Sequence, residues 1–309
     1  MSVVLVMGYN GGGKTTLMKK SFPNHERLNR DLIGGKLKNL HQHLDSLLKK
    51  GNTDIVLDNT YANIESRADV IATCQQHGVD CECVWLDTSI EDAQVNACQR
   101  MIGKYGCVLP PEDYKTVNDP NAFPIAALYS YRKRFEKPTK AEGFSSIEKV
   151  KFVRERSAEY KHKALLLDYD GTLRESVGPN PWPEDPDHVE IMPGRTEKLQ
   201  EYIDQGYHML GVSNQSAIAK GTLSLEVAEA CFQRTNDLLG IDIEFMYCPH
   251  RVPPISCYCR KPGPGMGVEF IEKYKLNPAE CIMVGDKKSD ETFAKRCGFQ
   301  YQDQAVFFK

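Results

Sequence analysis

Hydrophobic and polar positions alternate in a repeating order along this chain. Short apolar runs at Ser2 to Met7, Asp54 to Leu57 and Cys81 to Leu86 predict strands. Amphipathic stretches such as Ile64 to His77 and Glu91 to Ile102 predict the intervening helices. The second half repeats the scheme. Ala164 to Leu167, Tyr207 to Val212, Phe245 to Cys248 and Cys281 to Val284 read as strands, and Thr196 to Gln205 and Thr222 to Leu239 as helices. Strands separated by helices predict parallel sheets, so the fold class is α/β. Two of the strands run straight into loops dense in reactive side chains, at Gly8 and at Asp168, which predicts two tandem domains. We place them at 1–158 and 159–309, with the charged stretch Lys151 to Lys163 as the linker.

Composition narrows the function classes. With 309 residues, 41% hydrophobic and a net charge of −3, the chain has enough apolar side chains to fold and too little charge for a disordered one. No run approaches the roughly 18 apolar residues of a membrane span, so no membrane partner is expected. Val3 to Met7 is too short for a secretion signal, and eleven cysteines without one point to a reducing interior. The expected location is cytoplasmic, or nuclear in a eukaryote. The charge is slightly basic before residue 160 and acidic after it. That balance is wrong for a protein that coats nucleic acid but compatible with one that touches a few phosphates at a strand end.

Gly8-Tyr-Asn-Gly-Gly-Gly13-Lys14-Thr15 fits G-x-x-x-x-G-K-[ST], after a strand and before a helix that starts near Thr16. Gly8, Gly11, Gly12 and Gly13 allow backbone N–H groups to face phosphate oxygens, Lys14 neutralises them, and Thr15 and Thr16 open the helix. The pattern predicts a nucleoside triphosphate, with Mg²⁺ on the Thr15 hydroxyl. A phosphoryl acceptor also needs a carboxylate to take its proton. Asp31 and Asp58 are candidates, although either residue type also serves as a helix cap or turn residue.

Asp168-Tyr-Asp170-Gly-Thr-Leu173 follows the strand Ala164 to Leu167 and reads as haloacid-dehalogenase (HAD)-type chemistry. Carboxylates at i and i+2 share one side of an extended chain. Asp168 is the candidate nucleophile and Asp170 the candidate general acid and base. Ser213 and Asn214 are positioned to hold a phosphate oxygen, and Lys261 to neutralise it. Asp168, Asp170, Asp286 and Asp290 are the expected Mg²⁺ set. Cys248, His250, Cys257 and Cys259 offer three thiolates and an imidazole, which suit a closed structural Zn²⁺ site.

The first half resembles the kinase domain of the polynucleotide 5′-kinase/3′-phosphatases, which heal DNA and RNA ends. The resemblance rests on the phosphate loop, Asn29-Arg-Asp31, Asp58-Asn-Thr60, Ser66-Arg67 and, most specifically, Tyr129 to Phe144. It implies that Asp31 is the base for a 5′-hydroxyl, that Asp58 is a second acceptor-side carboxylate and that Arg100 is a lid arginine on the donor phosphates. Gly34 and Cys98 stand where some relatives carry arginine. Arg132-Lys133-Arg134, interleaved with Tyr129, Tyr131 and Phe135, is either a solvated basic face or a track for a strand. The second half resembles the zinc-containing histidinol-phosphate and heptose-bisphosphate phosphatases through Val212 to Ser216, Arg260 to Gly263 and the Cys/His set. No long cap insertion follows Leu173, which leaves the site open to a macromolecular end.

Together these resemblances imply a P-loop NTPase-type sheet followed by a HAD-type Rossmann-like sheet. They further imply ATP-dependent phosphorylation of 5′-hydroxyl ends, Mg²⁺-dependent removal of 3′-phosphates, nucleic-acid ends as partners and a ligase downstream. The alternative is a small-molecule kinase fused to a sugar- or histidinol-phosphate phosphatase. A nucleotide-gated binding protein with inert sites is the non-enzymatic rival.

Overall fold

The structure, a computed structural model, describes residues 2–252 and 257–309. The chain divides into two compact units, one of residues 1–97 and 117–154, the other of residues 98–116 and 155–309. In chain order the first half runs β1 (Ser2–Met7), α1 (Lys14–Ser21), β2 (Glu26–Leu28), α2 (Arg30–Ile33), α3 (Leu40–Lys49) and β3 (Ile55–Asp58). It continues with α4 (Ile64–Gln76), β4 (Asp80–Asp87), α5 (Ile90–Tyr105), α6 (Asp113–Thr116), α7 (Ala126–Arg134) and β5 (Ser146–Lys151).

The first sheet has the order β2-β3-β1-β4-β5, and every pairing is parallel. Alternate residues of β1 enter opposite layers: Val3, Leu5 and Met7 join one apolar cluster, Val4 and Val6 another. A strand buried on both faces belongs at the centre of a helix-covered parallel sheet. Its carboxyl end is where a ligand loop can emerge.

Arg67 is the largest fully buried polar side chain of this unit. Its guanidinium donates to both carboxylate oxygens of Glu142, at 2.7 and 3.0 Å, and to the carbonyls of Tyr61 and Glu136 at 3.2 and 3.1 Å. Glu142 also accepts from the Thr139 backbone N–H at 2.8 Å, closing a capping box. Much of the Tyr129 to Phe144 motif therefore fastens the segment before β5 onto α4.

The second half continues with β6 (Ala164–Leu167), β7 (Arg174–Ser176), β8 (Val189–Ile191), α8 (Arg195–Asp204), β9 (His208–Asn214), α9 (Ser216–Ala219) and α10 (Leu225–Leu239). Then follow β10 (Glu244–Cys248), α11 (Gly265–Tyr274), β11 (Ile282–Gly285), α12 (Lys288–Cys297), β12 (Gln300–Asp303) and α13 (Gln304–Phe307). The second sheet, β10-β9-β6-β11-β12, is likewise parallel. After Leu173 the chain makes only the small antiparallel hairpin β7–β8.

Three sequence expectations shift. β5 is a strand where none is predicted, since its Ser-Ile-Glu-Lys-Val-Lys sequence is half polar and lies on a sheet edge. The stretch Lys151 to Lys163 is not wholly a linker. It starts inside β5, and near its end the Lys161 N–H donates to Lys275 O at 3.0 Å and His162 bridges to Leu276. The helix predicted from Thr222 begins at Leu225, because the Ser224 hydroxyl accepts from Val227 N–H and caps it. Among the described residues no helix is long and apolar enough to cross a membrane.

Candidate active sites

The phosphate loop leaves β1 at Gly8 and enters α1 at Lys14. Gly13 caps the helix at φ 94°, a left-handed conformation that glycine adopts without a Cβ penalty. A Cβ on Gly11 would lie 2.9 Å from the Ala93 carbonyl. Lys14 is 8% exposed, and its ammonium donates to Gly8 O at 3.1 Å and Tyr9 O at 2.7 Å. Thr16 is exposed and continues the helix from the Gly13 carbonyl.

The parallel register sets Asp58 opposite Val6. There its carboxylate accepts from the Thr15 hydroxyl at 3.1 Å, and Arg27 donates to both groups. A hydroxyl and a carboxylate so paired, both oxygen donors, fit a Mg²⁺ ion beside a triphosphate. Arg27 had no sequence signal; only the alignment of β2 with β3 brings it there.

Two asparagines clasp the acceptor-side segments. Asn29 accepts from Asp31 N–H at 2.8 Å and donates to the Asp58 carbonyl, while Asn59 accepts from Arg30 N–H at 2.9 Å and donates to Leu28 O at 3.2 Å. Asp31 itself is 41% exposed and paired with Arg30 at 2.8 Å. Asn10 of the loop, Arg30, Thr60, Ser130, Tyr131 and Arg134 surround a cavity of about 220 Å³; Asp31 is not part of its lining. Arg132 instead lies over the Tyr129 ring, 5.0 Å from its centroid. Arg100 is half-buried on α5, one turn beyond Asn96.

Asn96 and Thr88 were not legible in the sequence, being single polar residues outside any motif. Asn96 donates to Gly11 O at 2.7 Å and Thr88 to Gly12 O at 2.7 Å, so both fix the loop's peptides from behind. Thr88→Val is expected to weaken binding of a non-hydrolysable ATP analogue by roughly 10-fold, since a buried carbonyl loses its donor. Calorimetric titration checks this, with Thr88→Ser retaining the wild-type affinity.

In the second unit β6 delivers Asp168, which is 4% exposed. Burial pushes its pKa up to about 6; the Lys261 ammonium opposes the rise and Asp290 adds to it. Lys261 donates to Asp168 at 2.6 Å and to Val212 O at 2.8 Å, and lies 2.8 Å from Asp290. Burial works against its charge, but the two carboxylates outweigh this and hold its pKa above the usual lysine value.

Asp168, Asp286 and Asp290 bring three carboxylate oxygens within 4.8 Å of one another, a hard-oxygen set that fits Mg²⁺. Gly171 makes room for it: its φ is +86°, and a Cβ there would lie 2.8 Å from Asp286 Oδ2.

The Asp170 carboxylate is turned elsewhere. Arg174 Nε donates to it at 2.8 Å and Gln215 Nε2 at 2.9 Å. Arg174 is 2% exposed and anchored by Cys231 O at 2.6 Å and Thr235 Oγ1 at 2.9 Å, beneath the Phe232 ring. Neither Arg174 nor Gln215 was given a role from sequence, though Arg174 adjoins the Asp168 to Leu173 motif and Gln215 lies inside Val212 to Ser216. Ser213 is buried and accepts from Gln215 at 3.0 Å. Asn214 is committed to the Lys261 backbone, donating to its carbonyl at 3.0 Å and accepting from its N–H at 2.9 Å. It positions Lys261.

Cys248, His250, Cys257 and Cys259 also converge. Cys248 Sγ lies 3.4 Å from His250 Nδ1 and 3.7 Å from Cys257 Sγ, and His250 Nδ1 lies 3.2 Å from Cys259 Sγ. Tetrahedral zinc with thiolate bonds of about 2.3 Å sets sulfurs about 3.8 Å apart, so the spacing fits. No disulfide joins the described cysteines. Hydrogen bonding to Cys248 is the largest cause lowering the Cys257 pKa and raising that of His250 to about 10.

A family model described as an AAA domain matches residues 3–138, and one described as HAD-hydrolase-like matches residues 258–301. A probable D-glycero-D-manno-heptose-1,7-bisphosphate 7-phosphatase of Thermoplasma volcanium is 37% identical over 139 residues, 43% of this chain and 92% of its own. A bifunctional polynucleotide phosphatase/kinase of Schizosaccharomyces pombe is 30% identical over 152 residues, 48% of this chain and 33% of that protein. The solved Pnkp1/Rnl/Hen1 RNA repair complex aligns over 98% of this chain and 95% of its own, at 16% identity and a TM-score of 0.32. The chain joins a P-loop kinase domain to a HAD-like phosphatase domain, and through the latter it belongs to the family of the heptose-bisphosphate 7-phosphatases.

Proposed function

We propose that this protein is a bifunctional end-healing enzyme that phosphorylates 5′-hydroxyl ends of nucleic acid and removes 3′-phosphates. The observation that carries the reading is the cavity beside the phosphate loop. Arg30, which pairs with the neighbouring Asp31, and Arg134 line it with Asn10 of the loop, which suits an acceptor hydroxyl carried on a phosphodiester chain better than a neutral sugar. The fission-yeast relative, which by name combines both activities, supports it. The heptose-bisphosphate phosphatase relatives favour the second reading, a metabolite phosphatase fused to a small-molecule kinase.

In the kinase domain, which we draw to about residue 158, Asp31 takes the 5′-hydroxyl proton as that oxygen attacks the γ-phosphorus and ADP leaves. Lys14 holds the donor phosphates, and the resemblance gives Arg100 the part of a lid arginine. Thr15 and Asp58 would hold Mg²⁺, which would offset the charge of those phosphates. In the phosphatase, Asp168 attacks phosphorus to form an aspartyl-phosphate while Asp170 donates its proton to the departing 3′-oxygen. Asp170 then takes a proton from water, which attacks phosphorus, releases phosphate and frees Asp168. Lys261 faces the charge on the transferring phosphoryl group, and Mg²⁺ held by Asp168, Asp286 and Asp290 would share that task. The product ends, 5′-phosphate and 3′-hydroxyl, are those a ligase joins.

End-labelling of a 5′-hydroxyl oligonucleotide with γ-labelled ATP, paired with phosphate release from a 3′-phosphorylated one, tests the proposal. Absence of both with an active preparation, alongside rapid release from heptose bisphosphate, would favour the second reading. We assign Cys248, His250, Cys257 and Cys259 to a structural zinc. Elemental analysis is expected to find about one zinc per chain. Cys257→Ala should lose the metal, lower the melting temperature and slow the phosphatase through the adjoining Arg260–Lys261 segment.

A further inference from the structure

A cavity of about 290 Å³ opens on Asp170, Asn214 and Gln215 and is walled by Trp182, Lys220 and Lys287. Neither Asp168 nor Lys261 lines it. The transferring phosphoryl group belongs to Asp168 and Lys261, and Asp170 protonates the departing oxygen. A space that reaches Asp170 without reaching Asp168 is therefore where the rest of the substrate lies.

Its walls describe that group. Trp182 is partly buried and packed on Ala217, Leu223 and Ala228, so the ring is held in place and offers a rigid flat surface. Lys220 is exposed, and the Lys287 side chain is 60% exposed, with its ammonium 3.3 Å from the Asp170 carbonyl and 3.4 Å from Asp286. Asp170 is the one carboxylate on the wall. The volume sits at the low end for ligand sites, enough for one ring system and not for several. An aromatic plate beside two cations suits a base and an adjoining phosphate.

We propose that this cavity takes the 3′-terminal nucleoside of the substrate, stacked on Trp182, and that Lys220, with Lys287, holds the phosphodiester that joins it to the preceding nucleotide. The assignment rests on the end-healing reading and adds to it the residues that select a nucleic-acid end over other phosphate esters.

Three substrates separate the contributions: glycerol 2-phosphate, which has no ring to stack, thymidine 3′-monophosphate and 3′-phosphorylated dithymidylate. Trp182→Ala is expected to raise KM for both nucleotides by about 10-fold, with kcat and the glycerol 2-phosphate rate unchanged, and Trp182→Phe to restore most of the loss. Lys220→Gln should raise KM for the dinucleotide alone, by roughly 5-fold, and reduce the salt dependence of the wild type's preference for it.

Equal losses on all three substrates in both Trp182 variants would reduce Trp182 to a packing role and overturn the assignment. So would a Lys220→Gln enzyme with an unaltered dinucleotide KM. If the wild type hydrolyses glycerol 2-phosphate or D-glycero-D-manno-heptose 1,7-bisphosphate but neither nucleotide, the end-healing reading itself has failed.

Discussion

Asp168→Asn is expected to lower kcat for 3′-phosphate release by at least about 10⁴-fold while leaving 5′-phosphoryl transfer at the wild-type rate. An amide oxygen at this position is too weak a nucleophile to open the phosphate ester, and no other side chain takes its place. Asp168 also supplies one oxygen of the three-carboxylate set and one of the two carboxylates that face Lys261. The substitution thus removes the nucleophile and leaves Lys261 with Asp290 alone. The paired end-labelling and phosphate-release assay reads both outcomes on one preparation. Residual phosphatase above about one hundredth of the wild-type rate would show that phosphorus is attacked by another group. Parallel loss of the kinase would mean that the variant has misfolded, which a thermal melt would reveal.

Arg67→Met is expected to destabilise the kinase unit by about 3–5 kcal/mol. The Arg67 and Glu142 side chains are 0% and 6% exposed, so removing the cation leaves a carboxylate in a site that water does not reach. The carbonyls of Tyr61 and Glu136 lose their donor in the same step. Trp85 and Trp182 are the only tryptophans of the chain. In a Trp182→Phe background, urea unfolding followed by fluorescence therefore reports on Trp85, which lies in β4 against the Phe135 ring. The double variant Arg67→Met/Glu142→Gln should recover much of the loss, because no unpaired charge remains buried. A single-variant cost below about 1 kcal/mol would mean that Glu142 reaches solvent or another cation.

Legibility followed how far apart the cooperating residues stand. The phosphate loop, the Asp168–Asp170 pair and the Cys/His set each lie within a dozen positions, so their residue types and spacing carry the chemistry. Edge strands did not announce themselves. β5 is polar because only one side of its ladder is paired, and β2 spans three residues, Glu26 to Leu28. The residues that aim a reactive group from elsewhere were also silent: Thr88 and Asn96 behind the loop, and Arg27 on Asp58. A lone threonine, asparagine or arginine has many ordinary uses, and nothing local separates these from the rest.

The Tyr129 to Phe144 motif shows the opposite limit. Its resemblance pointed to a kinase domain, yet Glu142 holds Arg67 and Arg134 lines the cavity by the loop, two different tasks within one motif. By itself the sequence determined the α/β class, the two phosphate chemistries and their order along the chain, because each is written in contiguous residues. Only the tertiary structure decided that Asp58 meets Thr15, that Asn214 grips the Lys261 backbone and that Asp170 faces Gln215. Those meetings depend on strand order and register, which set side by side residues that the chain keeps far apart.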